Sequence, residues 1–187
     1  MKEKKTLIFI KLLNIFVFIA FFGFITPLNS YAQNLPQDKK EVFNPTGLHL
    51  PRFVSLAKDI TNVRAGPGQK YPVKWVIKKR GLPVEIILEF DHWRKIRDKD
   101  GAEGWVFKTL LSGKRTALII GDDAVQVYNK KGWFFSKKLK VSATVEPMAL
   151  VKIKGCDERF CQVTVSGISG LIERKSLWGV YESEKFD

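Results

Sequence analysis

The sequence predicts an all-β protein built mainly from two small modules in tandem. After residue 51, short apolar runs bounded by Gly, Asp, Asn and Lys recur every ~8–12 residues, a spacing typical of small sandwiches and barrels. A spaced set of apolar residues and glycines then occurs twice. Beyond the N-terminal segment, no stretch shows sustained helical periodicity. One larger barrel or sandwich is the alternative that the length also permits.

The N-terminal segment, residues 1–32, has the order of a helical signal peptide. The basic start MKEKK precedes the apolar run 12–25, and small residues follow up to Ala32. This order predicts export, with cleavage after Ala32, and a location in the periplasm or cell envelope or outside the cell. A retained membrane anchor is the alternative, but a spanning helix needs about 20 apolar residues and Pro27 ends this run sooner.

Residues 33–51 are predicted to form a flexible linker, because they contain three prolines, paired charges and no hydrophobic period. The chain carries a net charge of +13, and the four lysines and one glutamate of residues 1–32 leave +10 for the rest. Residues 52–115 hold 15 basic and 7 acidic side chains. Outside the cytoplasm such a surface meets anionic polymers and lipid headgroups more often than nucleic acid, and solubility alone is the competing explanation.

The repeat defines a first module at residues 52–114 and a second, divergent module at residues 115–181, before a short acidic tail at residues 182–187. The stretches GWVFKTLL and GLIERKSLW lie at equivalent ends of the two modules. The repeated set is Trp93, Ile96, Gly104, Trp105, Val106, Lys108 and Leu110 in the first module and Phe160, Val163, Gly170, Leu171, Ile172, Lys175 and Leu177 in the second.

The first module carries a combination of motifs in TNVRAGPGQKYPV, the KKRG turn, PVEIILEFDHWRKIR, DGAEGWV and KTLL. Over residues 59–111 this combination resembles the bacterial SH3-like (SH3b) domain family. The second module keeps the later motifs and has Tyr128 where the first has Arg64. The resemblance implies two tandem SH3-like β-barrels and a noncatalytic module that docks on cell-wall peptidoglycan.

The loop AGPGQKYP is expected to shape one wall of the peptide groove that SH3-like barrels carry. We expect Gly66 and Gly68 to turn the backbone through positive φ, while Pro67 stiffens the loop. A plain connection between two strands is the alternative.

Three side chains in or just after this loop are candidate ligand-binding residues. Arg64 can pair with a carboxylate through two hydrogen bonds, and Tyr71 and Trp75 can stack on sugar or peptide. Trp93 and Trp105 are expected to fill the core or close one end of the barrel, because they bury so much area.

Two further clusters have two interpretations each. The triplet WFF at residues 133–135 predicts either a partner surface or a contact between the modules, and we favour the contact. The basic cluster KKR at residues 78–80 is either a solvated turn or a feature that attracts an anionic polymer.

Cys156 and Cys161 predict a disulfide bond, since an even pair of cysteines in an exported chain most often forms one. The alternative is a redox or metal pair. Only His49 and His92 are available to complete a metal shell, so the sequence favours the bridge.

The sequence contains no recognisable catalytic pattern. It lacks G-x-S-x-G, H-E-x-x-H and a phosphate-cradling loop. We therefore expect a protein that is not an enzyme and needs no cofactor or metal. Peptidoglycan is the first expected partner and an envelope protein the second. Peripheral contact with an anionic membrane surface is the third, and nucleic acid is not expected.

Overall fold

The computed structural model describes residues 43–129 and 139–186. The predicted signal peptide and the triplet at residues 133–135 lie outside the described residues. The described part is all-β and forms two separate antiparallel sheets of seven strands, which confirms the predicted fold class. Both sheets belong to one compact unit, residues 41–187. Within the described ranges, no helix has the length and apolar character needed to cross a membrane.

The first sheet has the strand order β3-β2-β6-β5-β4-β1-β7, and a 3-10 turn at Lys108–Leu110 leads into its last strand. The tight turns between β4, β5 and β6 make these strands neighbours in space. Its strands are β1 Arg52–Leu56, β2 Thr61–Arg64, β3 Val73–Ile77, β4 Pro83–Phe90, β5 Trp93–Arg97, β6 Glu103–Phe107 and β7 Leu111–Ser112.

The second sheet repeats this topology, with the order β10-β9-β13-β12-β11-β8-β14 and a 3-10 turn at Arg174–Ser176 before its last strand. Each strand takes the place of the corresponding strand of the first sheet. Its strands are β8 Thr116–Ile119, β9 Val125–Tyr128, β10 Val141–Val145, β11 Leu150–Cys156, β12 Phe160–Val165, β13 Ile168–Glu173 and β14 Leu177–Trp178.

The repeated glycines occupy the same place in both sheets. A Cβ atom on Gly104 would lie 2.4 Å from Cγ1 of Val63, and one on Gly170 would lie 2.5 Å from Cγ1 of Val127. In both sheets a core valine therefore fills the space that the missing side chain leaves. This shared close approach explains why a glycine recurs at this point of the repeat.

The predicted repeat is one residue out of step at its end. The 3-10 turns Lys108–Leu110 and Arg174–Ser176 are equivalent, and each is followed by a short strand. Leu177 therefore corresponds to Leu111 and Arg174 to Lys108, and the predicted matches of Leu177 with Leu110 and of Lys175 with Lys108 are wrong. Adjacent leucines in the first module made the two alignments indistinguishable from sequence.

Each sheet encloses its own buried apolar cluster, as expected for two modules. Alternation along the strands places every second side chain in these clusters. The first cluster contains Leu56, Val63, Val84, Ile86, Ile96 and Val106. The second contains Ala117, Ile119, Val127, Val145, Val151, Ile153, Cys156, Cys161, Val163, Ile172 and Leu177.

The predicted disulfide is confirmed, since Cys156 and Cys161 are bonded and lie opposite each other on β11 and β12. Both are buried in the second cluster. The bridge closes the β11–β12 hairpin of the second module. The C-terminal tail also folds back onto this hairpin, through a backbone pairing of Phe186 with Cys156.

Replacing both cysteines by serine should lower the free energy of unfolding by about 2 kcal/mol, because the bridge limits the unfolded chain. Chemical denaturation measures the change. Reductant should lower the stability of the native protein to that of the variant and leave the variant unchanged. A native protein that is insensitive to reductant would contradict this prediction.

Two segments flanking the modules are attached to them. From residue 43 onward the predicted linker lies on the first sheet, where the rings of Phe43 and Phe90 are 5.4 Å apart. At the other end, the buried guanidinium of Arg174 donates hydrogen bonds to the carbonyl oxygens of Tyr181, at 2.8 Å, and of Glu184, at 2.6 Å. The residues of the predicted acidic tail up to 186 are thus part of the second module's surface.

Aromatic side chains join the two modules. The ring of Phe53 lies 5.2 Å from that of Trp178 and 4.7 Å from that of Tyr181. The Tyr181 hydroxyl donates to Oε1 of Glu85 at 2.7 Å. Burial, followed by this hydrogen bond, raises the pKa of the Tyr181 phenol above its usual range. The phenol is therefore a neutral donor that links the end of the second module to the first sheet.

Candidate functional site

The loop between β2 and β3 is a closed turn held by its own backbone. The Ala65 amide donates to the Pro72 carbonyl at 3.0 Å, which closes the base of the loop. The Tyr71 amide donates to the Gly68 carbonyl at 3.2 Å, which folds its tip. The loop therefore presents a defined surface at the end of the β2–β3 hairpin.

The predicted positive φ at Gly66 and Gly68 is wrong. Among the described glycines, positive φ occurs at Gly47, Gly81, Gly101, Gly121, Gly167 and Gly179. Gly66 is required for space, because a Cβ there would lie 2.5 Å from Cδ1 of Tyr71. At Gly68 a Cβ would lie 3.4 Å from the same ring, in ordinary contact. The Tyr71 ring thus packs on the backbone of its own loop, with Lys70 Nζ 5.5 Å from the ring centroid.

Arg64, the last residue of β2, braces this loop. Its Nη1 donates to the Tyr71 carbonyl at 2.8 Å and to the Gln69 carbonyl at 3.2 Å. Its Nε and Nη2 donate to no group within the described residues. The predicted pairing with a carboxylate therefore concerns these two nitrogens, while Nη1 holds the loop in shape.

Trp75 lies on the other face of the hairpin. It pairs with Val63, which is fully buried, and it packs against the first core cluster. Arg64 follows Val63 along the strand, so its side chain points away from that cluster. The structure therefore brings Arg64 and Tyr71 together but places Trp75 on the core side of the hairpin. Trp75 is half-buried there, and Lys74 Nζ lies 5.0 Å from the centroid of its ring.

Trp105 shares the outer face with Arg64. The two residues are direct partners across β2 and β6. Trp105 is half-buried, and it alternates along β6 with the buried residues Gly104 and Val106. Neither Trp105 nor Trp93 is part of the buried apolar cluster. Trp93 is nevertheless buried, and it packs edge-on against Phe107 on the same face of the sheet, with centroids 5.4 Å apart.

The alternation of residues 103–107 is the sequence signal that could have placed Trp105 at the site. Small and apolar residues at 104 and 106 fill the core positions, so the tryptophan between them must face outward. The sequence prediction, based on the area that a tryptophan buries, was that it fills the core or closes one end of the barrel.

Charges beside Trp105 are already compensated. Lys95, the partner of Trp105 on β5, lies 2.6 Å from Oε2 of Glu103, and Nη2 of Arg97 lies 2.9 Å from Oε1. Hydrogen bonds from Lys95 and then from Arg97 hold the pKa of Glu103 below its ordinary value. Arg64, on the same face, donates to two backbone carbonyls and forms no ion pair with a described carboxylate.

The outer face offers a guanidinium with two unused nitrogens and the half-buried side chain of Trp105, and the closed loop held by Arg64 carries the Tyr71 ring. Such a surface suits recognition of a carboxylate next to a flat apolar group. In the described part of the chain, no group of three or more His, Cys, Asp or Glu side chains could hold a metal ion.

Residues 57–113 match the family described as bacterial SH3 domain. Among solved structures, the chain is similar to NlpC2 from Trichomonas vaginalis, with 12% identity over 73% of this chain and 51% of that chain and a TM-score of 0.32. It is also similar to NlpC1 from the same organism, with 13% identity over 70% of this chain and 46% of that one and a TM-score of 0.31. The chain thus spans about half the length of these structures. Curated protein sequences gave no match.

The family match covers the hairpin loop and all four residues discussed above, Arg64, Tyr71, Trp75 and Trp105. It stops before β8, so the likeness of the second module to the first rests on their common strand order. Bacterial SH3 domains are binding domains. The match confirms, over residues 57–113, the predicted resemblance of the first module to the bacterial SH3 domain family.

Proposed function

We propose that this protein is a noncatalytic, exported binding protein that docks on cell-wall peptidoglycan through the outer face of its first module. The observation that carries the proposal is the hydrogen bond from Arg64 to the closed loop that carries Tyr71, with Trp105 beside Arg64 on the same face of a bacterial SH3 domain. The residues that hold the ligand are then Arg64, Tyr71 and Trp105, and Trp75 contributes from the other side of the hairpin.

The chemistry of peptidoglycan suits this surface. Its stem peptides carry carboxylates, which the free Nε and Nη2 of Arg64 can bind as a pair. Its sugars and peptide planes can lie on the rings of Tyr71 and Trp105. Because the Tyr71 ring is already packed on Gly66, little conformational entropy is lost when a ligand covers it.

Export is supported by two features from different parts of the chain. The order of charged, apolar and small residues in the first 32 positions is that of a signal peptide. The disulfide between Cys156 and Cys161 belongs in an oxidising compartment. We place the protein in the periplasm or cell envelope.

The test is co-sedimentation of the purified protein with isolated sacculi. Arg64→Ala and Tyr71→Ala should each weaken binding by about tenfold, a loss of about 1.4 kcal/mol, because Arg and Tyr dominate binding energy at such surfaces. Trp75→Ala should have a smaller effect, since that ring packs mainly on the core.

Lys58→Ala is the matched control, because it removes one exposed positive charge from the same module. It should bind like the native protein. No retention of the native protein on sacculi at low salt would refute the proposal. Equal losses of binding for Arg64→Ala and Lys58→Ala would show that binding depends on the net positive charge and not on a specific site at Arg64.

A further inference from the structure

A cleft of about 1070 Å³ lies between the two modules, away from Arg64, Tyr71 and Trp75. Strands and turns of both modules form its walls. The described residues that line it include five cations and no carboxylate. These cations are Arg80, Lys114, Arg115, Lys152 and Lys154.

The base of the cleft is fixed by a contact between the modules. Thr116 Oγ1 donates to the Gly81 carbonyl at 2.7 Å. Gly81 has a φ of +79°, and a Cβ there would lie 3.2 Å from Cδ2 of Leu150. This hydrogen bond and close approach hold the basic turn at residues 78–80 next to the second sheet.

Four of the five cations are uncompensated. Arg115 pairs with Glu184, with Nη2 to Oε2 at 2.8 Å. Arg80, Lys114, Lys152 and Lys154 form no ion pair within the described residues, and all four are exposed. Like charges gathered around one concave surface raise the local concentration of anions there.

A row of hydroxyl groups crosses the floor of the cleft. Lys152 on β11 pairs with Thr116 on one side and with Thr164 on the other. Thr164 pairs in turn with Ser169, and their hydroxyl oxygens are 2.9 Å apart. Direct partners share one face of a sheet, so the side chain of Lys152 leaves the sheet on the same outer face as the hydroxyls of its partners.

We propose that this cleft binds a linear anionic polysaccharide. The acidic groups of the polysaccharide would form ion pairs with the four free cations, and its hydroxyl groups would form hydrogen bonds with Thr164 and Ser169. Among the described residues, the lining contains no aromatic side chain on which bases could stack, which disfavours single-stranded nucleic acid. A flat bilayer cannot follow a concave surface between two modules. The site is independent of the proposed peptidoglycan surface.

Binding of a fluorescent heparin-derived decasaccharide, followed by anisotropy, tests this proposal. The double variant Lys152→Ala/Lys154→Ala should weaken binding by at least about tenfold. The control Lys58→Ala/Lys108→Ala removes the same charge from exposed positions outside the cleft and should change binding by less than about twofold. Thr164→Val should weaken the decasaccharide by about threefold, because it removes one of the hydroxyls that contact the sugar.

Equal losses for the two double variants would overturn the proposal, since they would indicate attraction by net charge. The proposal would also be overturned if the protein bound single-stranded DNA or phosphatidylglycerol vesicles more tightly than the decasaccharide, through Lys152 and Lys154. Arg64→Ala and Tyr71→Ala should bind the decasaccharide normally. Failure to bind sacculi and failure to bind the decasaccharide are thus separate results.

Discussion

Replacing Glu89 by alanine is expected to lower the free energy of unfolding by about 3 kcal/mol, because it leaves buried positive charge without a partner. The Glu89 side chain is fully buried. Its Oε1 forms an ion pair with Nε of Arg94 at 3.0 Å, and the Arg94 side chain is itself only 6% exposed. Arg52 contacts the same oxygen, and the Thr46 hydroxyl donates to Oε2 at 2.7 Å.

The same carboxyl makes stability depend on pH. Burial alone would raise the pKa of Glu89, but hydrogen bonds from Arg52 and Thr46 outweigh it, so the pKa lies below its ordinary value. Glu89 therefore stabilises the fold above the pKa of an unfolded glutamate, about 4.3, and this contribution is lost as the pH falls through the folded pKa. A Glu89→Gln variant should lose less stability than the native protein between neutral and acidic pH.

Glu103→Ala is the control for both measurements. Glu103 also contacts two cations, Lys95 and Arg97, but its side chain is 31% exposed. Water can therefore replace its partners, and we expect a loss below about 1 kcal/mol. Denaturant unfolding at neutral pH gives both values, and similar losses for Glu89→Ala and Glu103→Ala would contradict a special role of the buried network.

The network also explains why residues 43–51 are ordered against the first module. The hydroxyl and the backbone amide of Thr46 both donate hydrogen bonds to Oε2 of Glu89, the amide at 3.2 Å. Hydrogen exchange in Glu89→Ala should therefore increase in this segment before it increases in the strands. The sequence predicted a linker here because polar, proline-rich residues give no indication of a buried partner more than 40 positions away.

The fold could be predicted because its signals are local. Alternating apolar residues and regularly spaced turns indicate strands wherever they occur, and the recurrence of Gly104 as Gly170 marks the same contact in each sheet. The disulfide followed from the number of cysteines and the expected compartment.

The outward face of Trp105 could be read from the alternation of residues 103–107, but the rest of the site could not be predicted, because it depends on the register of the hairpin and on backbone acceptors. A register shift between Val63 and Arg64 sets the faces of the hairpin, and no residue pattern reveals it. A sequence shows that Gly66 is small, but it does not distinguish a positive φ from room for the Tyr71 ring. The cleft cations likewise meet only after two distant stretches fold together, around Arg80 and Lys152.

Gly170→Ala is the second substitution expected to have a large effect. Its new Cβ would lie 2.5 Å from Cγ1 of Val127 and 2.7 Å from the carbonyl oxygen of Tyr128. The backbone of β9 cannot rotate away as a side chain can, so β9 and β13 must separate. We expect a loss of about 3 kcal/mol from the second module, at the upper end for overpacking.

Gly104→Ala provides the comparison within the same protein. There the contact with a side chain is equally short, at 2.4 Å from Val63, but the nearest backbone oxygen, that of Arg64, is 3.0 Å away. The first module should therefore lose less stability than the second loses in Gly170→Ala. Gly113→Ala, which adds a Cβ with no atom within 4 Å, should be neutral. Hydrogen exchange resolves the two modules, and a Gly170→Ala protein as stable as Gly113→Ala would show that the β9–β13 contact is looser than this geometry requires.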